Sequence, residues 1–424
     1  MSHGDRLTKP HVFLIFLVST ASFFEGYDFI ILNLVLPFLR KEFSLSILQT
    51  GFAASAIAVG TIVAFFVLRL GDYFGRRATL MWTVLGYTAA TALTAASRGV
   101  YGFVAMQFLA RVFLVAEWGI STVIIAEELP ATRRGFGIAI VQAMAGIGGI
   151  VGSAIFPIVD RVAAGWRAMY LIGIVPLVIV FFVRLSLRET RRYAVYRATR
   201  TDSPKWTEIL DRKYRKNLVV IACLWFFMYL GYTPILTFWT TFAMGDRGLG
   251  LHQVSLIVAI SYTIGLSGFI VAGRLMDAWG RRPTCVLFFG LGAVATFVAF
   301  NAPPAPLLMG ASLVVLIFFA TSYLSLCSTY TAELFPTRLR ASAAAWTNNT
   351  LGRVGMVLAP TMVGLLAGLF ARPAPDPAGG QGGARSSGVG PAVGLMGLFP
   401  LLCAVLVLVF LPETKDRELE DISG

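Results

Sequence analysis

Long apolar stretches recur along this chain with short polar breaks between them. Each is about 20 residues, the length that crosses a ~30 Å hydrocarbon core as a helix. Twelve are expected, near 12–36, 49–70, 78–97, 101–126, 136–159, 167–187, 217–242, 253–275, 284–301, 306–330, 341–370 and 391–411. Residues 1–10 are short and polar, and the first apolar run is already spanning length. No cleaved signal peptide is therefore expected.

Composition agrees with the pattern. Of 424 residues, 57% are hydrophobic and only 13% charged, about half the charge of a soluble chain. A single soluble core also stops growing near roughly 250–300 residues. The fold class that follows is an all-α membrane protein.

Basic residues set the expected topology. With the N-terminus cytoplasmic, Arg6, Lys9, Arg76, Arg77, Arg133, Arg134, ten residues from Arg188 to Lys216, Arg281, Arg282, Arg338, Arg340, Lys415 and Arg417 fall inside. Outside fall only Arg40, Lys41, Arg98, Arg161, Arg167, Arg247, Arg372 and Arg385. This asymmetry of 22 against 8 follows the positive-inside rule and puts both termini in the cytoplasm. The net charge of +13 then reflects anionic headgroups, and needs no nucleic acid. Cys223, Cys285, Cys327 and Cys403 lie in apolar segments and read as small buried hydrophobes. Neither they nor His3, His11 and His252 show metal-ligand spacing, so no metal or other cofactor is expected.

Shifted by about 205 residues, the chain meets itself. "LRLGDYFGRR" (68–77) overlays "GRLMDAWGRR" (273–282), and "AEELPATRRG" (126–135) overlays "AELFPTRLRA" (332–341). "QAMAGIGG" (142–149) overlays "NNTLGRVG" (348–355), and Gly26-Tyr27-Asp28 overlays Gly231-Tyr232-Thr233. The expected organisation is a six-helix bundle over 1–188, a basic cytoplasmic linker over 189–216, and a pseudo-symmetric six-helix bundle over 217–424. The Pro/Gly/Ser-rich stretch 371–390 reads as a loop on the outer side.

These motifs resemble the major facilitator superfamily over nearly the whole chain. Its loop motif is complete at Gly273, Asp277, Gly280, Arg281 and Arg282; in the first copy Leu68 stands where the first Gly belongs. The closer resemblance is to sugar porters and their organic-ion relatives. Their Glu-x6-Arg signature appears as Glu127/Arg134 and Glu333/Arg340, and their Pro-Glu-Thr-Lys tail as Pro412 to Lys415. "RETRR" (188–192) resembles the matching element after helix six. The resemblance implies a secondary transporter working by alternating access. A candidate cytoplasmic gate follows from Asp72, Arg76, Arg77, Glu127, Arg134, Asp277, Arg281, Arg282, Glu333 and Arg340. Ion pairs there could latch the halves, each worth only ~0.2–1 kcal/mol. The alternative is that the cations only fix topology.

Five charges fall well inside spans: Glu25 and Asp28 in helix one, Arg111 and Glu117 in helix four, and Arg353 in helix eleven. At about 1.5 Å per residue, Asp28 lies roughly 12 Å and Arg111 roughly 14 Å from the outer ends of their helices. A lone buried charge is costly, so the two are expected to pair. Proton-coupled sugar porters carry an Asp after Gly-Tyr in helix one and an Arg in helix four, which implies proton coupling at Asp28 and Arg111. A static pair joining the two helices is the rival reading. Thr233, the second-half counterpart of Asp28, cannot titrate. Glu25 and Glu117 could extend a proton relay, stay neutral, or face a wet cavity.

Arg353 is the substrate clue. Its first-half counterpart is Ile147, so the repeat does not require the charge. A guanidinium beside Asn348 and Asn349 suits a carboxylate; pairing with Glu25 or Glu117 is the alternative. Tyr232, Trp239, Tyr27 and Gln142 complete the candidate substrate set, although aromatic rings also serve ordinary packing. Helix seven lacks the Gln-Gln-Leu-Ser stretch that hexose porters carry, and helix five lacks the Gly-Pro of drug exporters. The glycines of "GIGGIVGSAIFP" (146–157) suit close helix packing. The reading is uptake of a small organic acid with protons, by a monomer in a bacterial inner membrane. Sugar symport and proton-driven export are the alternatives. No nucleophile–base constellation suggests an enzyme, and no segment is long enough for a soluble receptor domain.

Overall fold

The computed structural model describes residues 9–129, 134–185, 208–336, 339–371 and 387–415. Within them the chain is helical. The first six long helices are α1 (Lys9–Glu42), α2 (Ile47–Phe74), α3 (Arg76–Ala96), α4 (Val100–Glu128), α5 (Arg134–Ile155) and α6 (Arg167–Arg184). The next three are α7 (Arg212–Gly245), α8 (Leu251–Ala278, with a break after Gly265) and α9 (Arg281–Asn301). α10 spans Pro306–Glu333. α11 consists of Arg340–Ala344, a π-helical stretch Ala345–Gly352, and Arg353–Phe370. α12 consists of Val389–Met396 and Leu398–Phe410.

Eleven of these are long and apolar enough to cross a membrane. The twelfth expected span is α3, whose apolar face is interrupted by Thr79, Thr83, Thr88 and Thr94. Each of these hydroxyls bonds back to a carbonyl three or four residues earlier. That satisfies the polar group internally, as a span in lipid demands. The chain is an integral membrane protein.

The chain forms two compact units: Met1–Leu32 with Ala56–Ser203, and Asn33–Ser55 with Pro204–Gly424. The linker element "RETRR" lies outside the described residues. Residues 33–55, at the α1–α2 connection, pack in the second unit. There the Thr361 hydroxyl bonds the Ser55 hydroxyl at 2.8 Å. A Cβ on Gly51 would stand 2.4 Å from the Pro360 carbonyl oxygen.

Inside the first unit, α1 and α5 touch backbone to backbone. A Cβ on Gly26 would lie 1.7 Å from the Ala145 oxygen, and one on Gly148 would lie 1.9 Å from the Phe23 oxygen. Here the helix-five glycines do allow close packing. The same device joins α7 and α11 in the second unit. A Cβ on Gly355 would lie 2.2 Å from the Phe226 oxygen, and one on Gly352 would lie 2.6 Å from Trp225 Cβ.

The internal repeat is visible at the helix ends. α3 and α9 both start after a glycine in the left-handed region, Gly75 (φ 101°) and Gly280 (φ 110°). Only glycine takes such a φ without strain. Two residues on, Arg77 donates to the Leu185 carbonyl at the end of α6. Its counterpart Arg282 donates to the Leu408 carbonyl at the end of α12.

Candidate functional site

α1 and α4 pass side by side in the first unit. Arg111 Nη2 of α4 stands 3.4 Å from Asp28 Oδ2 of α1, with both side chains almost fully buried. Next to Asp28, the Tyr27 hydroxyl donates to the Met169 carbonyl of α6 at 2.6 Å. The Phe29 ring lies 5.5 Å beneath the Arg111 guanidinium. Glu25 is half-buried. Gln107 is fully buried one turn before Arg111, and its amide nitrogen lies 3.3 Å from the Thr94 hydroxyl of α3.

Glu117 is paired within the first unit. Its Oε1 is bonded to Arg184 Nη1 of α6. Arg184 is completely buried, and also donates to the Leu17 carbonyl (3.2 Å) and the Thr20 hydroxyl (2.9 Å) of α1. One guanidinium therefore ties together α1, α4 and α6. Arg184, the last residue of α6, adds a buried cation to the five charges read well inside spans. The signal for Arg184 was present in the sequence: a cation at the far end of the apolar run 167–187, which Arg167 opens.

The second unit has different chemistry at its centre. Thr233 is buried where Asp28 has its counterpart. α11 departs from α-helical geometry over Ala345–Gly352. The Thr350 hydroxyl and the Arg353 N–H reach back five residues, to the carbonyls of Ala345 and Asn348. Such π-helical turns are uncommon and concentrate at functional sites. The turn presents Asn348 to α7, where the Tyr229 hydroxyl donates to Asn348 Oδ1 at 2.9 Å. Tyr229 stacks on Trp225 at 5.7 Å, and Trp225 Nε1 donates to the Thr331 hydroxyl of α10 at 3.0 Å. Arg353 follows directly and is buried, Asn349 and Tyr232 are half-buried, and Trp239 is buried. No periodicity in the sequence marks the π-turn; the Asn-Asn pair was its only trace.

The helix ends of the second unit carry most of the described gate residues. Arg281 bonds Glu333 Oε1 through Nε and Nη2, both at 3.0 Å, and stands 3.5 Å from Asp277. Glu333 also accepts from the Thr414 hydroxyl. Glu413 caps α9, accepting the backbone N–H of Arg281 (2.8 Å) and Arg282 (2.9 Å). Burial opposes its charge, but the N–H groups of Lys415, Arg281, Arg282 and Thr414 outweigh that and hold the carboxyl below its usual range. These bonds all fall within the second unit. In the first unit Arg76 is half-buried and Arg77 makes the bond given above. The side chains of Gln142, Asp72, Glu127, Arg134 and Arg340 lie outside the described residues.

Residues 18–360 match the family model for the Major Facilitator Superfamily. The chain belongs to this superfamily of transporters. It is 25% identical over 98% of its length to a cis,cis-muconate transport protein of Acinetobacter baylyi, 96% of which is covered. It is 24% identical over 84% of its length to the niacin transporter NiaP of the same species, 87% of which is covered. The fold matches that of a D-xylose-proton symporter with a TM-score of 0.74, at 20% identity, over 95% of this chain and 99% of that one. A superfamily member of this kind is a transporter and not an enzyme. Its membership also accounts for the paired six-helix organisation read from the repeat.

Proposed function

We propose that this chain takes up a small organic acid together with protons, by alternating access. The observation that carries the reading is the buried Asp28–Arg111 pair at 3.4 Å. At that distance the pair is held by charge, without a short hydrogen bond. A proton on Asp28 cancels its charge and leaves Arg111 without its counter-ion. Loss of the proton restores the pair. Intramembrane ionisable groups commonly mark proton pathways, and an equilibrium between two states shifts only if the ligand distinguishes them. Alternate exposure of Asp28 to the two sides of the membrane would meet that condition.

For the substrate, Arg353 supplies a fixed cation and Asn348 and Asn349 supply amide groups beside the π-turn. A guanidinium binds a carboxylate through two parallel hydrogen bonds. The stacked Trp225–Tyr229 pair and Tyr232 offer flat surfaces to an unsaturated or aromatic acid. Two relatives, a niacin transporter and a cis,cis-muconate transport protein, are named for substrates of that class. The chain then acts as a monomer in a bacterial inner membrane, with both termini cytoplasmic. The gate residues at the helix ends bias the two states.

The reading is tested by uptake into proteoliposomes of radiolabelled nicotinate, benzoate, cis,cis-muconate and xylose, with and without an inward proton gradient. Gradient-driven accumulation of at least one acid, and none of xylose, is expected. Accumulation of xylose alone would return the chain to the sugar porters.

A further inference from the structure

In the second unit, α8 is held against α10 by two glycines. A Cβ on Gly268 would stand 2.0 Å from the Phe318 oxygen, and one on Gly265 would stand 2.5 Å from Ile317 Cγ2. The Thr321 hydroxyl of α10 donates to the Gly265 carbonyl at 3.1 Å. At about 100° per residue, Tyr262 lies roughly 60–120° around α8 from these glycines. It therefore sits to one side of the α10 contact, and it lies within electrostatic range of Tyr232 of α7.

On α7, Trp225, Tyr229 and Tyr232 recur at i, i+4 and i+7, which puts them on one face. Tyr232 is half-buried and lies within electrostatic range of Tyr229. Tyr229 in turn donates to Asn348 of the π-turn. A line of hydroxyl and amide groups thus runs from Tyr262 of α8, past Tyr232 and Tyr229, to the turn that precedes Arg353. Near the π-turn its polar atoms are paired: Trp225 Nε1 donates to Thr331, and the Tyr229 hydroxyl to Asn348. At the other end, the Tyr262 hydroxyl is buried with no hydrogen-bond partner among the described residues. A buried phenol is costly unless protein, water or a ligand bonds it.

We propose that Tyr262 recognises a hydroxyl on the substrate, at the end of the molecule opposite its carboxylate. The inference rests on the organic-acid reading above and narrows the substrate class to a para-hydroxylated aromatic acid. Depth agrees with it. α11 packs on α7 at Trp225 and Phe226, through Gly352 and Gly355 on either side of Arg353. Tyr232 lies six residues further along α7, roughly 9 Å at 1.5 Å per residue. One ring, with a carboxylate at one end and a hydroxyl at the other, bridges such a span once a hydrogen bond is made at each end. The stacked Trp225–Tyr229 pair lies between and offers the ring a flat surface. A phenol both donates and accepts, so Tyr262 can bond a substrate hydroxyl in either sense. Tyr232 and Tyr262 bring no charge, so a neutral hydroxyl suits this end better than a second carboxylate, whose charge they would leave unpaired.

The test is calorimetric binding of benzoate, 3-hydroxybenzoate and 4-hydroxybenzoate to the purified full chain. The three acids differ only in one hydroxyl and its position. The wild type should bind 4-hydroxybenzoate about three- to tenfold more tightly than benzoate, the effect of one neutral hydrogen bond. 3-Hydroxybenzoate should show no such gain. Tyr262→Phe, which removes only the hydroxyl, should erase the preference and leave the affinity for benzoate unchanged. A preference that survives in Tyr262→Phe would overturn the inference. An equal loss for all three acids would make Tyr262 a packing residue and overturn it too. So would a wild type indifferent to the para hydroxyl, an outcome that needs no variant; the organic-acid reading would then still stand. If the wild type binds none of the three acids but does bind xylose, the organic-acid reading itself fails, and the two failures are told apart.

Discussion

The two six-helix repeats agree where they meet the membrane surface and differ at mid-membrane. At the helix ends, Gly75 and Gly280 share a left-handed turn, and Arg77 and Arg282 bond carbonyls at the ends of α6 and α12. Further in, the first unit buries Asp28–Arg111, and a second buried pair joins Glu117 of α4 to Arg184, the last residue of α6. The second places Thr233, Ile317 and Tyr323 at the positions of Asp28, Arg111 and Glu117, and concentrates its polar chemistry in the α11 π-turn. A duplicated scaffold keeps what folding requires in both copies. Chemistry present in only one copy is not required by the scaffold. Charge pairs in one half and an amide–arginine–aromatic cluster in the other thus point to a division of labour between proton handling and substrate recognition.

Four changes sharpen or break this contrast. The largest effect should follow from Arg184→Ala. Removing one partner of a buried ion pair costs about 3–5 kcal/mol, so a sharp fall in thermal stability of the purified protein is expected. Replacing both Glu117 and Arg184 by Met should cost far less. Equal losses would mean that packing, rather than charge, holds α6 to α4. Next is Gly26→Val. Overpacking typically costs about 1–3 kcal/mol, and here the α1 and α5 backbones must separate. Loss of stability measured by melting is expected, and a neutral outcome would contradict the close approach at Ala145.

Arg353→Ala should come third. A hydrogen bond to a charged group contributes about 1.5–3 kcal/mol, or roughly 10–100-fold in affinity for an acid. Binding isotherms for carboxylates and for their neutral amides separate the cases: equal losses for both would give Arg353 a structural role. The smallest effect is at the helix ends. Glu413→Ala should cost about 0.5–2 kcal/mol, as loss of a helix cap does. The native carboxyl titrates below its ordinary range, so its contribution is complete above about pH 4.3, the ordinary value for Glu. It is lost as pH falls through the lower folded value. The wild type should therefore lose stability on acidification below about pH 4, and the variant should lose less. Parallel melting curves in acid would remove Glu413 from the account.

Much of this architecture was legible in the sequence because lipid imposes a length rule on every span and repeats copy it. α3 was the faint case, its threonines lowering the apolar signal while Thr79, Thr83, Thr88 and Thr94 bond carbonyls of the preceding turn. The Asp28–Arg111 pair was legible because two depths, counted along opposite helix directions, agreed. Arg184 was hidden by its position: a cation near the end of a span looks like a topology signal until three helices are seen to close over it. The π-turn was illegible, since one extra residue per turn leaves hydrophobic periodicity almost unchanged over eight residues. Glu413 shows a third case. Its motif was plain, but its task of capping α9 from the far end of the chain requires tertiary structure.

The central claim is that Asp28 couples the proton to transport. The most direct measurement compares wild type and Asp28→Asn in proteoliposomes, following accumulation of a labelled acid driven by a proton gradient alongside its exchange against internal unlabelled acid. The account predicts that Asp28→Asn loses accumulation while exchange persists. Concentrative uptake at the wild-type rate by this variant would contradict it.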